Sequence, residues 1–158
     1  MENERIVNMQ KEINKFRWET EEEFLFREKV RNFSFEMKKI LAELNDADPN
    51  YKELKDKITN IKIEIENMSP PQIYSSQYNN YFKSLEYYHK AFVLLNDSLL
   101  KKGVIKEGKT HENVFKAAKY IEAGTAYTVI ISVENFDLWD HKNKECISKN
   151  PKKGGFNN

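Results

Sequence analysis

Residues 74–99 read YSSQYNNYFKSLEYYHKAFVLLNDSL, and within them Tyr74, Tyr78, Tyr81, Leu85, Tyr88, Phe92, Leu95 and Leu99 recur at alternating steps of four and three. Such steps keep side chains on one face of a 3.6-residue helix, so the segment predicts a long amphipathic helix with an aromatic and aliphatic stripe. A strand alternates with period two and does not fit. Gly103 supplies a stop soon afterwards.

Toward the N-terminus the same rhythm recurs in Tyr51, Leu54, Ile58, Ile61, Ile65 and Met68. A helix is predicted there, with Asp48 as its N-cap and Pro49 at the first helical position, where a missing N–H costs nothing. Ser69-Pro70-Pro71 closes it, because the residue before a proline is pushed out of the α region, and Ser69 becomes the expected cap of the next helix. Earlier still, from about Glu4 to Leu44, the stripe is Met9, Ile13, Phe16, then Val30, Phe33, Met37, Ile40 and Leu44. Its phase crosses Thr20 and Glu23, which are polar and have the form of a capping box. Either one helix passes through a wet patch, or a second helix starts at Thr20.

Toward the C-terminus, Thr110 is positioned to cap a helix whose stripe is Val114, Ala118, Ile121, Thr125, Thr128, Ser132, Phe136 and Trp139, a face of mostly small residues. Residues 125–133 (TAYTVIISV) are rich in β-branched side chains and carry strand propensity. No second strand is visible to pair with them, so they are read as helix. Beyond His141 the chain turns to Lys, Asn, Pro and Gly. The expected fold is all-α: an up-and-down bundle of four long amphipathic helices, or five if the first segment breaks at Thr20. Residues 1–141 form the bundle and 142–158 a flexible basic tail.

A chain of 158 residues can bury a core without staples. Lys plus Arg number 26 against 25 Asp plus Glu, so no global field draws the chain to nucleic acid. No run of 18 apolar residues is present, and the opening Met1-Glu2-Asn3-Glu4-Arg5 lacks a secretory pattern, which together lead to an expected cytoplasmic location. Lys outnumbers Arg heavily, and Asn and Ile are abundant. Those residues have A/T-rich codons, which points to a low-GC Gram-positive bacterium or one of its phages.

Chemical motifs are sparse. Glu86-Tyr87-Tyr88-His89 matches the Glu-x-x-His of di-iron carboxylate bundles, but those sites need a second copy and two further glutamates, and the Leu85–Tyr88–Phe92 stripe puts Glu86 and His89 on its flank. His111 and His141 have no partner at zinc-ligand spacing. Cys146 has nothing to fix a base beside it, and no phosphate loop or nucleophile elbow occurs. Catalysis, a cofactor and a metal are therefore not expected. The acidic run Glu19, Glu21, Glu22, Glu23 beside Arg17 and Arg27 reads as a solvated face, and the lysines of the tail as solubilising.

The aromatics are more informative. Trp18, Phe24, Phe26 and Phe35 fall off the stripe of the first segment, and Tyr87 off that of the third. They are either buried against a third neighbour or form an exposed patch, and such patches mark protein interfaces. These five are the candidate interaction residues. The expected function is a non-catalytic protein-binding or adaptor bundle, with a phage or other mobile element acting on a host protein as the expected setting. The alternatives are a small-molecule or metal-binding bundle with a polar pocket near Thr125, Thr128 and Ser132 and with Glu86 and His89 in its wall, or a self-assembling helical protein.

The run Met68-Ser69-Pro70-Pro71-Gln72-Ile73-Tyr74, followed by Leu85-Glu86-Tyr87-Tyr88-His89-Lys90-Ala91-Phe92-Val93-Leu94-Leu95, resembles a group of helical-bundle domains of Gram-positive bacteria. They share a helix, Pro-Pro-x-x-Tyr, helix junction and are often secreted as lipoproteins. The resemblance spans about half the chain, from the second helix to the start of the fourth, and implies a helical bundle and no particular site.

Overall fold

A computed structural model describes residues 14–46, 48–99 and 107–149. Among them are four α-helices and no strand: α1 (Glu21–Glu43), α2 (Tyr51–Glu66), α3 (Ser75–Leu99) and α4 (Glu107–Lys149), with a 3₁₀ turn at Gln72–Tyr74 leading into α3. The stretch 125–133 lies inside α4 and is helical. Met9, Ile13, Gly103 and residues 150–158 lie outside the described residues.

The first segment breaks at Thr20. Its side chain accepts from the Glu23 amide at 3.1 Å while the Glu23 carboxylate accepts from the Thr20 amide at 2.7 Å, a complete capping box. Three acidic residues in the first turn add to this start, since negative charge there meets the positive end of the helix dipole. Two other boundaries differ from the sequence reading. Asn50, not Asp48, caps α2, accepting from the Glu53 amide at 3.1 Å. Ser69 caps nothing: Pro70 and Pro71 lead straight into the 3₁₀ turn, whose N-cap is Pro71 with no side-chain bond. At the other end α4 begins at Glu107, so Thr110 sits within the first turn instead of before it. The helix then continues past the expected end at His141 to Lys149, so residues 142–149 are helical and not tail.

Contacts give the topology. Tyr78 donates to the Ile65 carbonyl and His89 meets Thr59, so α3 runs antiparallel to α2. Asn80 bonds Glu134 and Ser84 bonds the Gly124 carbonyl, so α4 runs antiparallel to α3. Phe26 packs on Tyr74 and Tyr78, placing the start of α1 beside the start of α3. The result is an up-and-down bundle. Its centre is the predicted stripes of α2 and α3: Leu54, Ile58, Ile65, Leu85 and Phe92 are fully enclosed.

The helices approach one another unequally. α3 and α4 pack most closely, α2 and α3 next, and the α1 backbone stands farther out. Side-chain size is the cause. Along the α3–α4 seam the buried residues include Ser84, Ala91, Ala117 and Gly124, whereas α1 reaches the core through Phe26, Phe33, Met37 and Ile40. On α4 the buried positions are Ala117, Gly124 and Ile131, spaced by seven, while Val114, Ala118, Thr125, Ser132 and Phe136 of the predicted stripe are exposed. The face is small, as read, but turned by about one residue. Carbon added at Gly124 would lie 2.8 Å from the buried Tyr88 ring, too close for a real contact. Gly124→Ala therefore lowers stability despite the roughly 1 kcal/mol that alanine gains over glycine in a helix. Overpacking costs about 1–3 kcal/mol, and a lowered midpoint in urea unfolding checks the sign.

Candidate functional site

The five aromatics singled out in the sequence part company in the structure. Phe24 and Phe26 are buried and leave the candidate exposed patch. For Phe26 the reason is phase: once the helix restarts at Thr20, the core stripe of α1 is Phe26, Val30, Phe33, Met37, Ile40, Leu44, and carrying the earlier phase across the break displaced it by one residue. Trp18 is half-buried, stacked on Phe16 at 5.3 Å, and its indole donates to Asn143 Oδ1 at 2.8 Å. Tyr87 is half-buried in an interhelix ladder, stacked on Tyr127 at 5.8 Å and beside Tyr120 at 6.1 Å. Phe35 alone of the five is strongly exposed, at 48%, flanked by Arg31 and Lys38.

The acidic run contains a buried group. Glu19 is only 3% exposed, and Arg27 forks onto it with Nε to Oε2 at 2.8 Å and Nη2 to Oε1 at 2.9 Å. The Tyr74 hydroxyl donates to the same carboxylate at 2.9 Å, the Trp139 indole N–H donates to the Tyr74 oxygen at 3.1 Å, and Arg27 also donates to the Asn14 carbonyl at 2.6 Å. Arg27 lies 4.4 Å from the Phe16 ring centre. Burial works against the guanidinium charge, yet the hydrogen bonds and charge of Glu19 outweigh it and hold Arg27 above its ordinary value. Burial likewise pushes the Tyr74 hydroxyl up, keeping it protonated as a donor. Four segments thus meet at one ion pair. Glu19→Gln leaves Arg27 with only the looser Glu28, at 3.9 Å, as counter-charge and should cost about 3 kcal/mol in chemical denaturation, whereas the paired replacement Glu19→Leu with Arg27→Met should recover most of that loss.

This cluster closes one end of an open groove of about 470 Å³ between α1, α3 and α4. Phe26, Tyr74 and Trp139 line that end, Met37, Leu41, Tyr88 and Thr125 the other, and Tyr78, Tyr81 and Ile131 its floor. From Phe26 to Leu41 the groove follows α1 for about 22 Å, some four turns. Thr125, Thr128 and Ser132 line it, as the pocket reading expected, but Glu86 and His89 do not. Their flank faces the other way: His89 Nε2 lies 3.1 Å from Thr59 Oγ1 on α2. Burial, with Lys62 and Lys55 nearby, lowers the His89 pKa below its ordinary 6.5. A lowered histidine binds its proton less readily folded than unfolded, so its contribution is present above pH 6.5 and is lost as pH falls below that value. Thermal midpoints measured from pH 7 down to 5 should fall less steeply in His89→Gln than in the parent.

Hydrogen bonding within the groove is uneven. Thr128 and Ser132 spend their hydroxyls on carbonyls one turn back, and Tyr88 bonds Thr125 at 3.0 Å. Gln77 Oε1 on α3 and Asn135 Oδ1 on α4 are buried with no hydrogen-bond partner, at the same level of the antiparallel pair. The Tyr81 hydroxyl faces Ser34 without well-formed geometry, and burial raises its pKa. Next to the groove, on the outward side of α4, Val129, Val133 and Phe136 (66%) form an exposed apolar row that the sequence reading missed, and Phe115 (64%) is exposed separately near the start of the helix. Among the described residues no three acids, histidines or cysteines cluster to hold a metal ion, and no helix is long and apolar enough to cross a membrane. No protein-family model, curated protein or solved structure matches the chain.

Proposed function

We propose that this chain is a non-catalytic binding module, an adaptor that holds a helical segment of another protein in the groove between α1 and α4. The observation that carries the reading is the open seam. Three helices bury one another in the ordinary way, but α1 and α4 leave about 470 Å³ of mainly aromatic and aliphatic lining facing solvent. Long apolar grooves of this kind take amphipathic helices, whose anchors recur at steps of three and four. The exposed row of Val129, Val133 and Phe136 extends the contact surface beside the groove, and contiguous exposed apolar residues mark interaction sites. A cytoplasmic location and a protein target of a bacterial host belong to the same reading.

Photo-crosslinking in the native host tests it. A crosslinking residue placed at Ser132, in the groove, should yield a protein adduct, whereas one at Lys57, exposed on α2, should not. Phe136→Lys should change stability by less than about 0.5 kcal/mol, as surface substitutions do, and should reduce the adduct sharply. A groove position that gives no protein adduct removes the reading.

A further inference from the structure

Resting on that reading, we infer that the partner segment is an acidic amphipathic helix carrying a hydrogen-bonding side chain in the middle of its apolar face. Charge is the first ground. The residues lining the groove include Arg27, Arg31 and Lys38 and not one Asp or Glu. Arg27 is consumed by Glu19, which leaves Arg31 and Lys38, two turns apart on the exposed rim of α1, as the charges an incoming chain meets. Arg31 shares Glu28 only loosely, at 3.6 Å, and Lys38 leans over the exposed Phe35 ring at 5.7 Å. The α4 rim opposite them is neutral, with Thr125, Thr128, Ser132 and Asn135. A basic helix would desolvate its charges against this rim without compensation, and an acidic one is attracted to it.

The second ground is independent of charge. Gln77 is only 8% exposed, and its Oε1 lies buried and unpartnered in the groove wall, as do Asn135 Oδ1 and the poorly satisfied Tyr81 hydroxyl. These groups are already enclosed without partners, and a purely aliphatic occupant leaves them so. A glutamine, asparagine or serine at that level can both donate and accept, and so fixes the register of the bound helix as a buried polar residue does in a coiled coil. Aromatic and aliphatic side chains above and below supply the affinity, and the polar belt of Gln77, Tyr81 and Asn135 supplies the selection.

Fluorescence anisotropy with designed peptides tests this. Three helical peptides share a leucine face: one has Glu on both flanks and a central Gln, a second has Lys on the flanks, and a third has Glu flanks with Leu replacing the Gln. The first should bind about fivefold to tenfold more tightly than the second at low salt, and at least about fivefold more tightly than the third. In the double variant Arg31→Glu, Lys38→Glu, whose exposed positions should leave the thermal melt unchanged, the order of the first two should reverse. Equal binding of the Glu and Lys peptides, or a preference that survives the double variant, overturns the acidic partner while leaving groove binding intact. Tighter binding of the leucine peptide overturns the polar anchor. Failure of all three peptides alongside uptake of a small amphiphile such as oleate overturns the inference and the protein-binding reading together.

Discussion

The position of α1 depends on one buried ion pair. Glu19 and Arg27 are eight residues apart, too far for neighbours on a single helix, and they meet because the capping box at Thr20 ends one run and turns residues 14–19 back along the start of the next. With Tyr74 and Trp139 attached, the pair ties the lead-in segment, α1, the 3₁₀ turn and α4 at one point. A buried pair of this kind adds little net stability over an apolar replacement, but it tolerates only one arrangement of its partners. Its consequence here is geometric: it sets where α1 stands relative to α4, and therefore how wide the groove is at that end.

Side-chain size sets the rest of the width. Glycine, alanine and serine let α3 and α4 close on each other, with the Tyr88 ring filling the notch that Gly124 leaves. Phenylalanine and methionine on α1 hold its backbone away from the same pair. The four helices share one core, but α3 packs closely on α2 and α4 as one tight body while α1 stands propped beside them on its larger side chains. The floor of the groove belongs to the tight body and one wall to the propped helix, so ordered recognition groups face a wall joined to the body by fewer contacts.

Much of this was legible residue by residue. The stripes of α2 and α3 were plain because large apolar side chains leave little choice of phase, whereas the capping box at Thr20 was one of two open readings, a polar patch within one helix being the other. The phase of α4 was not, since Ala, Thr, Ser and Gly differ too little in hydrophobicity to mark which face turns inward, and the buried set proved to be Ala117, Gly124 and Ile131. The length of α4 was misjudged for a related reason. Lys142, Lys144 and Asn143 read as tail by composition, yet His141 and Lys144 pair one turn along with Glu145 and Asp140, and Trp18 reaches across to Asn143. The groove had no signature in any one segment, because its lining alternates among three helices. Thr125, Thr128 and Ser132 were singled out as a polar pocket on a face of small residues, not as one wall of a groove.

The same residues serve packing and recognition, which constrains how the groove can vary. Tyr88 fills the Gly124 notch, bonds Thr125 and lines the groove, so a change that deepens the groove there also loosens the seam that makes its floor firm. At the other end Trp139 lines the groove and donates to Tyr74, so enlarging that end disturbs the ion pair that positions α1. The freest positions lie between these ends and along the rim: Arg31, Lys38 and Ser132 face solvent and hold no helix in place. Specificity in this fold can therefore shift by exchange of rim charges and of the central polar belt, while the aromatic ends stay tied to stability.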